Sequence, residues 1–161
     1  MSNSAYHGAS MDKHHMAIEL ERFLSAILRN WGITREQIAR EGVYFSHETC
    51  THATPTASCS FNEISALRQC FGDELLEELV ITNTKGFTGH PMGVSFEDVA
   101  AVEVLRQGVI PPMANNSQPD PNLGKLRLSR GGCYPAKYAL RFAAGFGSQV
   151  AFALYAAVGA V

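Results

Sequence analysis

One stretch of the chain, residues 83–93, combines residue types that could do chemistry. It reads Asn-Thr-Lys-Gly-Phe-Thr-Gly-His-Pro-Met-Gly and so places Lys85 and His90 among three glycines. A lysine ammonium carries a positive charge and three donors, and a neutral histidine ring can donate one hydrogen bond. Glycines allow positive φ angles and a close approach of the backbone to a ligand. The stretch therefore predicts a binding or catalytic loop.

A second group of candidates surrounds two histidines, His47 and His52. Residues 46–56 read Ser-His-Glu-Thr-Cys-Thr-His-Ala-Thr-Pro-Thr, so each histidine is followed by threonines two and four residues later. His47 is favoured because a typical strand of five or six residues would end there. His52 fits better when the count runs backwards from the next predicted helix. The sequence leaves both histidines as candidates for a single position in the site.

Hydrophobic periodicity indicates how these residues are positioned. The predicted elements are helices over residues 17–31, 61–70 and 94–105 and strands over 43–46 and 79–81. Capping boxes are predicted at Thr34 with Gln37, before a short extra helix, and at Ser60 with Glu63. Residues 83–93 thus form a loop between a strand and a helix, where a rigid scaffold can hold catalytic side chains.

The last third of the chain has strand patterns. Strands are predicted over residues 109–110, 126–128, 138–143 and 150–156, with a polar connection over 115–124 and a turn at 130–132. The segment Gly-Phe-Gly-Ser-Gln at 145–149 joins the last two strands. The alternation of helices and strands predicts an α/β fold, with a mixed sheet of about five strands and helices packed on its faces.

Three segments together resemble the β-ketoacyl synthases, the condensing enzymes of fatty-acid and polyketide synthesis. Residues 84–93 are similar to that family's loop S/T-K-x-x-x-G-H-x-x-G. Residues 47–51 are similar to its H-G-T-G-T motif, in the S-H-E-T-x-T form of some large polyketide synthases. Residues 145–148 are similar to its G-F-G-G loop, with Ser148 in place of the last glycine. The order is that of the family, and the closest resemblance is to ketosynthase domains of large polyketide and fatty-acid synthases.

The resemblance implies a thiolase-like half-domain and an acyltransferase reaction of the 3-oxoacyl synthase type. In this reaction a malonyl thioester loses CO₂, and the resulting enolate condenses with an acyl group on a cysteine. The resemblance assigns His47 (or His52) and His90 to hydrogen-bond the thioester oxygen as it becomes an enolate. It assigns Lys85 to order the site as a buried ammonium, paired with a carboxylate.

The resemblance also implies how the substrates are held. Thr49 and Thr51 would meet the pantetheine arm, and Phe146 would lie beside the acyl pocket as a gate. No metal and no bound cofactor are expected, because the substrates arrive on the phosphopantetheine of an acyl carrier protein.

The resemblance covers only the C-terminal half of a condensing enzyme. We expect residues 1–16 to be a mobile lead-in or linker remnant and residues 17–161 to be the C-terminal domain. The family's nucleophilic cysteine belongs to the N-terminal half and has no convincing counterpart here. The expected partners are therefore that half and an acyl carrier protein, with a homodimer in the complete enzyme. The fragment alone is expected to be inactive.

Two alternatives remain at the level of sequence. The chain could be a non-catalytic ketosynthase-like partner or docking module that keeps the fold without the chemistry. It could also be a small cysteine hydrolase using Cys59 with His90 or His52, because Cys59 lies at a predicted helix start, where the helix dipole favours a thiolate.

Composition restricts the other classes. Hydrophobic residues make up 46% and charged residues 17%, which is typical of a globular chain. A net charge of −2 without a basic stripe predicts no nucleic-acid or membrane partner. The apolar run at 150–161 is too short to span a bilayer. The four cysteines do not have the spacing of a zinc site. The N-terminal residues lack the apolar core of a signal peptide, so we expect reduced thiols in a cytoplasmic protein.

Overall fold

The computed structural model describes residues 2–5, 12–48, 58–89, 95–114, 118–145 and 149–160. Within these ranges the chain forms a six-stranded sheet with helices on both faces and a separate two-stranded sheet. The helices are α1 (Lys13–Trp31), α2 (Arg35–Glu41), α3 (Cys59–Glu78), α4 (Lys85–Thr88) and α5 (Ser95–Gln107), with a 3-10 turn at Pro121–Leu123. The strands are β1 (Ser2–Ala5), β2 (Gly42–Phe45), β3 (Val80–Thr82), β4 (Val109–Pro112), β5 (Arg127–Leu128), β6 (Arg130–Cys133), β7 (Tyr138–Gly145) and β8 (Gln149–Ala156).

The main sheet has the strand order β1-β8-β7-β2-β3-β5. Strands β7, β2, β3 and β5 are parallel, whereas β8 and β1 run antiparallel to their neighbours. Parallel neighbours need a crossover connection, and α3 supplies it between β2 and β3. The predicted α/β fold with a mixed sheet is confirmed: five strands of the main sheet match predicted strands, and β1 is the sixth.

Two apolar clusters lie on opposite faces of this sheet. On one face Tyr44 packs with Leu20 of α1, and on the other Val43 and Phe45 pack with Val104 of α5. Successive residues of a strand point to opposite faces, so β2 contributes to both clusters. Every residue of β2 is buried, as is usual for a central parallel strand.

Local signals place several helix ends where the sequence predicts them. Helix α1 ends at Gly32, whose φ of 69° is left-handed and whose N–H donates to the Leu28 carbonyl oxygen. Helix α2 opens with the predicted capping box of Thr34 and Gln37. These ends depend on neighbouring residues alone, which is why sequence patterns find them.

The start of α3 differs from the prediction. Its N-cap is Ser58, whose side chain accepts from the Phe61 N–H. The predicted capping box of Ser60 and Glu63 is therefore wrong. Glu63 is 1% exposed and turns into the interior, where tertiary hydrogen bonds replace a local one.

Two other segments also differ from expectation. Of the predicted lead-in at 1–16, Ser2–Ala5 forms an edge strand paired with β8, and α1 begins at Lys13. The domain boundary at residue 17 stays a prediction. The predicted turn at 130–132 is wrong, because Arg130–Cys133 is a strand paired antiparallel with β4. Gly131 and Gly132 have positive φ angles within this strand.

The described residues include three of the four cysteines, and they contain no metal-ligand cluster and no membrane-spanning helix. Cys70 and Cys133 are free thiols, Cys59 is buried, and Cys50 lies outside the described residues. Across the described ranges, no group of three or more potential ligands could hold a metal ion. No helix among them has the length and apolar character needed to cross a membrane.

Candidate active site

The carboxyl ends of β2 and β3 meet at one edge of the sheet. The two strands place Phe45 opposite Thr82, and the Ser46 N–H donates to the Thr82 carbonyl oxygen at 2.9 Å. His47 follows the end of β2, and Lys85 follows the end of β3. The strand pairing therefore brings two of the predicted residues together at the edge where α/β folds bind ligands.

Asn83 connects the two loops that carry these residues. Its side-chain amide donates to the carbonyl oxygens of Ser46 at 3.2 Å and Glu48 at 3.0 Å. Its Oδ1 accepts from the Lys85 N–H at 2.8 Å. Asn83 is buried, so these bonds fix the spacing of the loops. Sequence analysis missed this residue; a polar amide directly after a buried strand is the pattern that could have found it.

Lys85 is buried and has the carboxylate partner that the family resemblance implies. Its Nζ lies 2.8 Å from Oε1 of Glu97, near the start of α5. The same Nζ lies 3.1 Å from Nδ1 of His47. The side chains of Lys85 and Glu97 are 7% and 3% exposed, so the ammonium and carboxylate interact with little screening by water. Sequence analysis predicted a carboxylate but did not identify Glu97.

The contact with Lys85 favours one tautomer of a neutral His47 ring. An ammonium group donates hydrogen bonds and accepts none, so Nδ1 of a neutral His47 ring must be the acceptor. The ring proton then resides on Nε2, which becomes the donor. The Phe142 ring meets the His47 ring edge-on, with centroids 5.9 Å apart and planes at 79°. A neutral His47 ring in this contact presents Nε2–H as its hydrogen-bond donor.

Glu63 holds the backbone that carries His47. Its Oε1 accepts from the Tyr44 hydroxyl at 2.5 Å and from the His47 N–H at 2.9 Å, and its Oε2 accepts from the Ser46 hydroxyl at 3.0 Å. Burial raises the pKa of Glu63 to about 7, against the opposing effect of these hydrogen bonds. The carboxyl group therefore titrates near neutral pH while it supports the loop.

The chain matches a known family over most of its length. Residues 2–117 match the family model described as "Beta-ketoacyl synthase, C-terminal domain". The chain belongs to the β-ketoacyl synthase family. The match includes both strands and both loops that hold His47 and Lys85.

Two curated relatives show how much of a β-ketoacyl synthase this chain represents. It is 31% identical over 128 residues to 3-oxoacyl-[acyl-carrier-protein] synthase 2 of Vibrio cholerae, covering 77% of this chain and 28% of the relative. It is 30% identical over 121 residues to Nodulation protein E of Rhizobium meliloti, covering 71% of this chain and 28% of the relative. The chain thus matches a little over a quarter of each relative's length.

Solved ketosynthase structures share the fold. The ishigamide ketosynthase/chain length factor superposes with a TM-score of 0.78 at 20% identity, covering 98% of this chain and 37% of that one. A type II polyketide ketosynthase solved with its acyl-carrier protein and bound to a hexaketide gives 0.75 at 21% identity, covering 97% and 37%. The predicted thiolase-like half-domain is therefore confirmed as the fold.

The other predicted site residues of this β-ketoacyl synthase domain lie outside the described residues. They are Thr49, Thr51, His52, His90 and Phe146. It stays a prediction that His90 and either His47 or His52 hydrogen-bond one thioester oxygen, and so does the choice between His47 and His52. Cys59, the nucleophile of the hydrolase alternative, is buried in the first turn of α3.

Proposed function

We propose that this chain supplies the C-terminal half of a β-ketoacyl synthase active site. In this proposal His47, rather than His52, acts together with His90. The observation that carries the proposal is the buried contact of His47 Nδ1 with the Lys85 ammonium. That contact leaves Nε2–H as a donor, which is the group that an enolate oxygen requires. Buried charged side chains with a specific charged partner are often found at functional sites. Lys85 is such a residue, because it is buried together with its partner Glu97.

In the proposed mechanism the malonyl thioester loses CO₂, and negative charge develops on its carbonyl oxygen. His47 Nε2–H and His90 donate hydrogen bonds to that oxygen and stabilise the enolate. The enolate carbon then attacks the acyl thioester on the cysteine of the N-terminal half, and the cysteine thiolate leaves. Lys85 keeps Nδ1 of His47 occupied, so the ring presents its proton at Nε2 throughout.

In the proposed reaction the substrates arrive on a carrier protein. The acyl and malonyl groups are carried on the phosphopantetheine of an acyl carrier protein, and the domain itself binds no cofactor. Thr49 and Thr51 meet the pantetheine arm, and Phe146 borders the acyl pocket. The solved complex of a structurally similar ketosynthase with its acyl-carrier protein supports this choice of partner. The complete enzyme is a homodimer.

An apolar face of α5 supports the proposed N-terminal partner half. Phe96, Val99 and Val102 follow one another at intervals of three residues and are 58%, 62% and 46% exposed. This spacing places them on one side of the helix. Phe87 of α4 is also 60% exposed. Neighbouring exposed apolar side chains indicate a surface that a partner covers. We assign that role to the half that carries the nucleophile.

The test mixes the purified chain with an N-terminal ketosynthase half that carries the cysteine, and measures condensation of acyl and malonyl thioesters on a carrier protein. His47→Ala should lower the rate by about 10²-fold or more, because a positioned donor is lost. Lys85→Met should have an effect of similar size. His14→Ala and Lys125→Met, at exposed positions on α1 and after the 3-10 turn, are the matched controls.

The outcome separates the proposal from its alternatives. A complex that forms normally but whose condensation rate is unchanged by both His47→Ala and Lys85→Met would contradict the proposed mechanism. It would favour the non-catalytic partner instead. Selective labelling of Cys59 by a thiol-reactive probe, with loss of hydrolysis in Cys59→Ser, would support the hydrolase. The burial of Cys59 gives that alternative no support.

A further inference from the structure

A buried arginine on β7 lies next to the His47–Lys85–Glu97 group but belongs to none of the sequence motifs. The Arg141 side chain is 3% exposed. Its Nη2 lies 3.1 Å from Oε2 of Glu97, and its Nε lies 2.9 Å from Oδ1 of Asp98. Its Nη1 donates to the carbonyl oxygen of Phe142. Arg141 therefore spans from its own strand to two consecutive carboxylates on α5.

Glu97 is shared between two cations. Its Oε1 faces Lys85, and its Oε2 faces Arg141. The last torsion of a glutamate side chain has broad, roughly two-fold minima, so one cation alone would not fix the plane of the carboxylate. Contacts at both oxygens do fix it. The position of Oε1, and with it the position of Lys85 Nζ, depends on Arg141.

The charges of this buried group balance. Lys85 and Arg141 are positive, and Glu97 and Asp98 are negative. Three of these side chains are less than a tenth exposed, whereas the Asp98 side chain is 34% exposed. A buried charge that loses its partner is strongly unfavourable, so the four groups stabilise one another as a set.

Arginine suits this position for two reasons. Its planar fork can contact two carboxylates and a carbonyl oxygen at once, and it stays protonated at every accessible pH. The backbone of Arg141 is paired with Phe45 of β2, two residues before His47. A rigid strand pairing thus sets the place of the guanidinium relative to the histidine that we assign to the site.

We propose that Arg141 is a positioning residue, which fixes the Glu97 carboxylate so that Lys85 stays on Nδ1 of His47 and the histidine stays in its Nε2–H tautomer. This inference rests on the proposed function for its relevance to condensation. Arg141 touches no reacting atom; it acts through Glu97 and Lys85. Without it, Glu97 rotates, Lys85 follows, and Nδ1 of His47 loses its donor.

The test measures the tautomer of His47 directly by ¹⁵N NMR of the chain, with the signals assigned by their loss in His47→Gln. The main variant is Arg141→Met combined with Asp98→Asn, which keeps the net charge of the group at zero. Its ratio of Nε2–H to Nδ1–H tautomer should fall by about tenfold, the factor expected for losing one charge-assisted hydrogen bond. Asp98→Asn alone should leave the ratio unchanged, because Arg141 still holds Glu97.

Two further variants complete the design. Arg106→Met removes an exposed arginine that pairs with Glu103 on α5, and it should not change the ratio. Arg141→Lys keeps the charge but not the fork, and it should lower the ratio by roughly threefold, since one contact can replace only part of three. If the double variant fails to give a dispersed spectrum, Arg141→Lys decides the question in the same way.

An unchanged tautomer ratio in folded Arg141→Met/Asp98→Asn, or in Arg141→Lys where the double variant does not fold, would overturn the inference. This measurement needs no substrate and no partner half, so its result is independent of turnover. If the tautomer depends on Arg141 but His47→Ala leaves condensation unchanged in the mixed complex, the proposed function fails and the positioning role stands. If His47→Ala abolishes condensation but the tautomer ratio does not change in the Arg141 variants, only the positioning role fails.

Discussion

At the scale of single residues, the site is built from buried polar groups that satisfy one another across the chain. Lys85 joins His47 to Glu97, and Asn83 joins the two loops. Each of these residues is less than a tenth exposed. Buried polar groups without partners are strongly unfavourable, so the group as a whole favours a single arrangement.

Glu63 provides a prediction about pH at this scale. Burial raises its pKa from 4.5 to about 7, so between these values the folded state binds more protons than the unfolded state. The free energy of unfolding should therefore decrease as pH rises from about 4.5 to 7 and then level off, with a total loss of about 3 kcal/mol. Below pH 4.5 the carboxyl is neutral in both states, and the loss is absent.

The measurement is urea unfolding of the wild type and Glu63→Gln at pH 5 and pH 7.5. The free energy of unfolding of the wild type should decrease between pH 5 and pH 7.5 by more than that of Glu63→Gln. Glu74→Gln, at an exposed position of α3, is the control and should follow the wild type. Parallel pH dependences for the wild type and Glu63→Gln would show that Glu63 does not titrate in this range.

At the scale of elements, the junction of α2 with β2 sets where His47 lies. Gly42 is the first residue of β2, and a Cβ there would overlap the backbone carbonyl oxygen of Ile38 and approach that of Tyr138 to 3.2 Å. Neither atom can move without shifting a helix or a strand. Glycine is needed at this position because the neighbouring backbone leaves no room for a Cβ. The backbone angle is not the reason, since its φ of −117° is accessible to any residue.

Gly42→Ala should therefore destabilise the chain by about 2 kcal/mol, because the added methyl group forces α2 away from the sheet. The change is measured by urea or thermal unfolding. Gly145→Ala is the matched control, since the nearest heavy atom to its added Cβ lies 3.9 Å away. Equal stabilities of the two variants would mean that the junction adapts without loss.

At the scale of the whole molecule, the proposed function requires a second half that carries the nucleophile. The chain matches 28% of the length of the two curated relatives described above, and α5 exposes Phe96, Val99 and Val102. We expect the purified chain alone to show no condensation and to associate with itself through apolar surface. Condensation by the chain alone, in acyl- and malonyl-thioester assays, would refute this expectation.

A charge on the exposed face of α5 tests the partner surface. Val99→Glu should weaken binding of the N-terminal half by about tenfold or more, with little change in the stability of the chain itself. Gln69→Glu adds the same charge at an exposed polar position of α3 and should leave binding unchanged. Binding is measured by titration of the labelled partner half. Equal affinities for the two variants would place the interface elsewhere.

The sequence by itself determined the features that depend on neighbouring residues. The period of apolar residues located α1, α3, α5 and most of the strands, and the glycine after Trp31 marked the end of α1. The motifs around His47 and Lys85 indicated the family that the comparisons confirm. Period, capping and motif spacing are local properties, so they can be inferred before the chain is folded.

Only the tertiary structure decided which polar groups meet. Glu63 had the spacing of a helix cap, yet it turned inward to the His47 backbone. Glu97 and Arg141 gave no sequence signal. Glu97 contacts Lys85, which lies 12 residues away in sequence, and Arg141, which lies 44 residues away. Such contacts depend on which strands pair and in which register. That pairing is fixed by burial of the whole sheet between its helices, which no local pattern encodes.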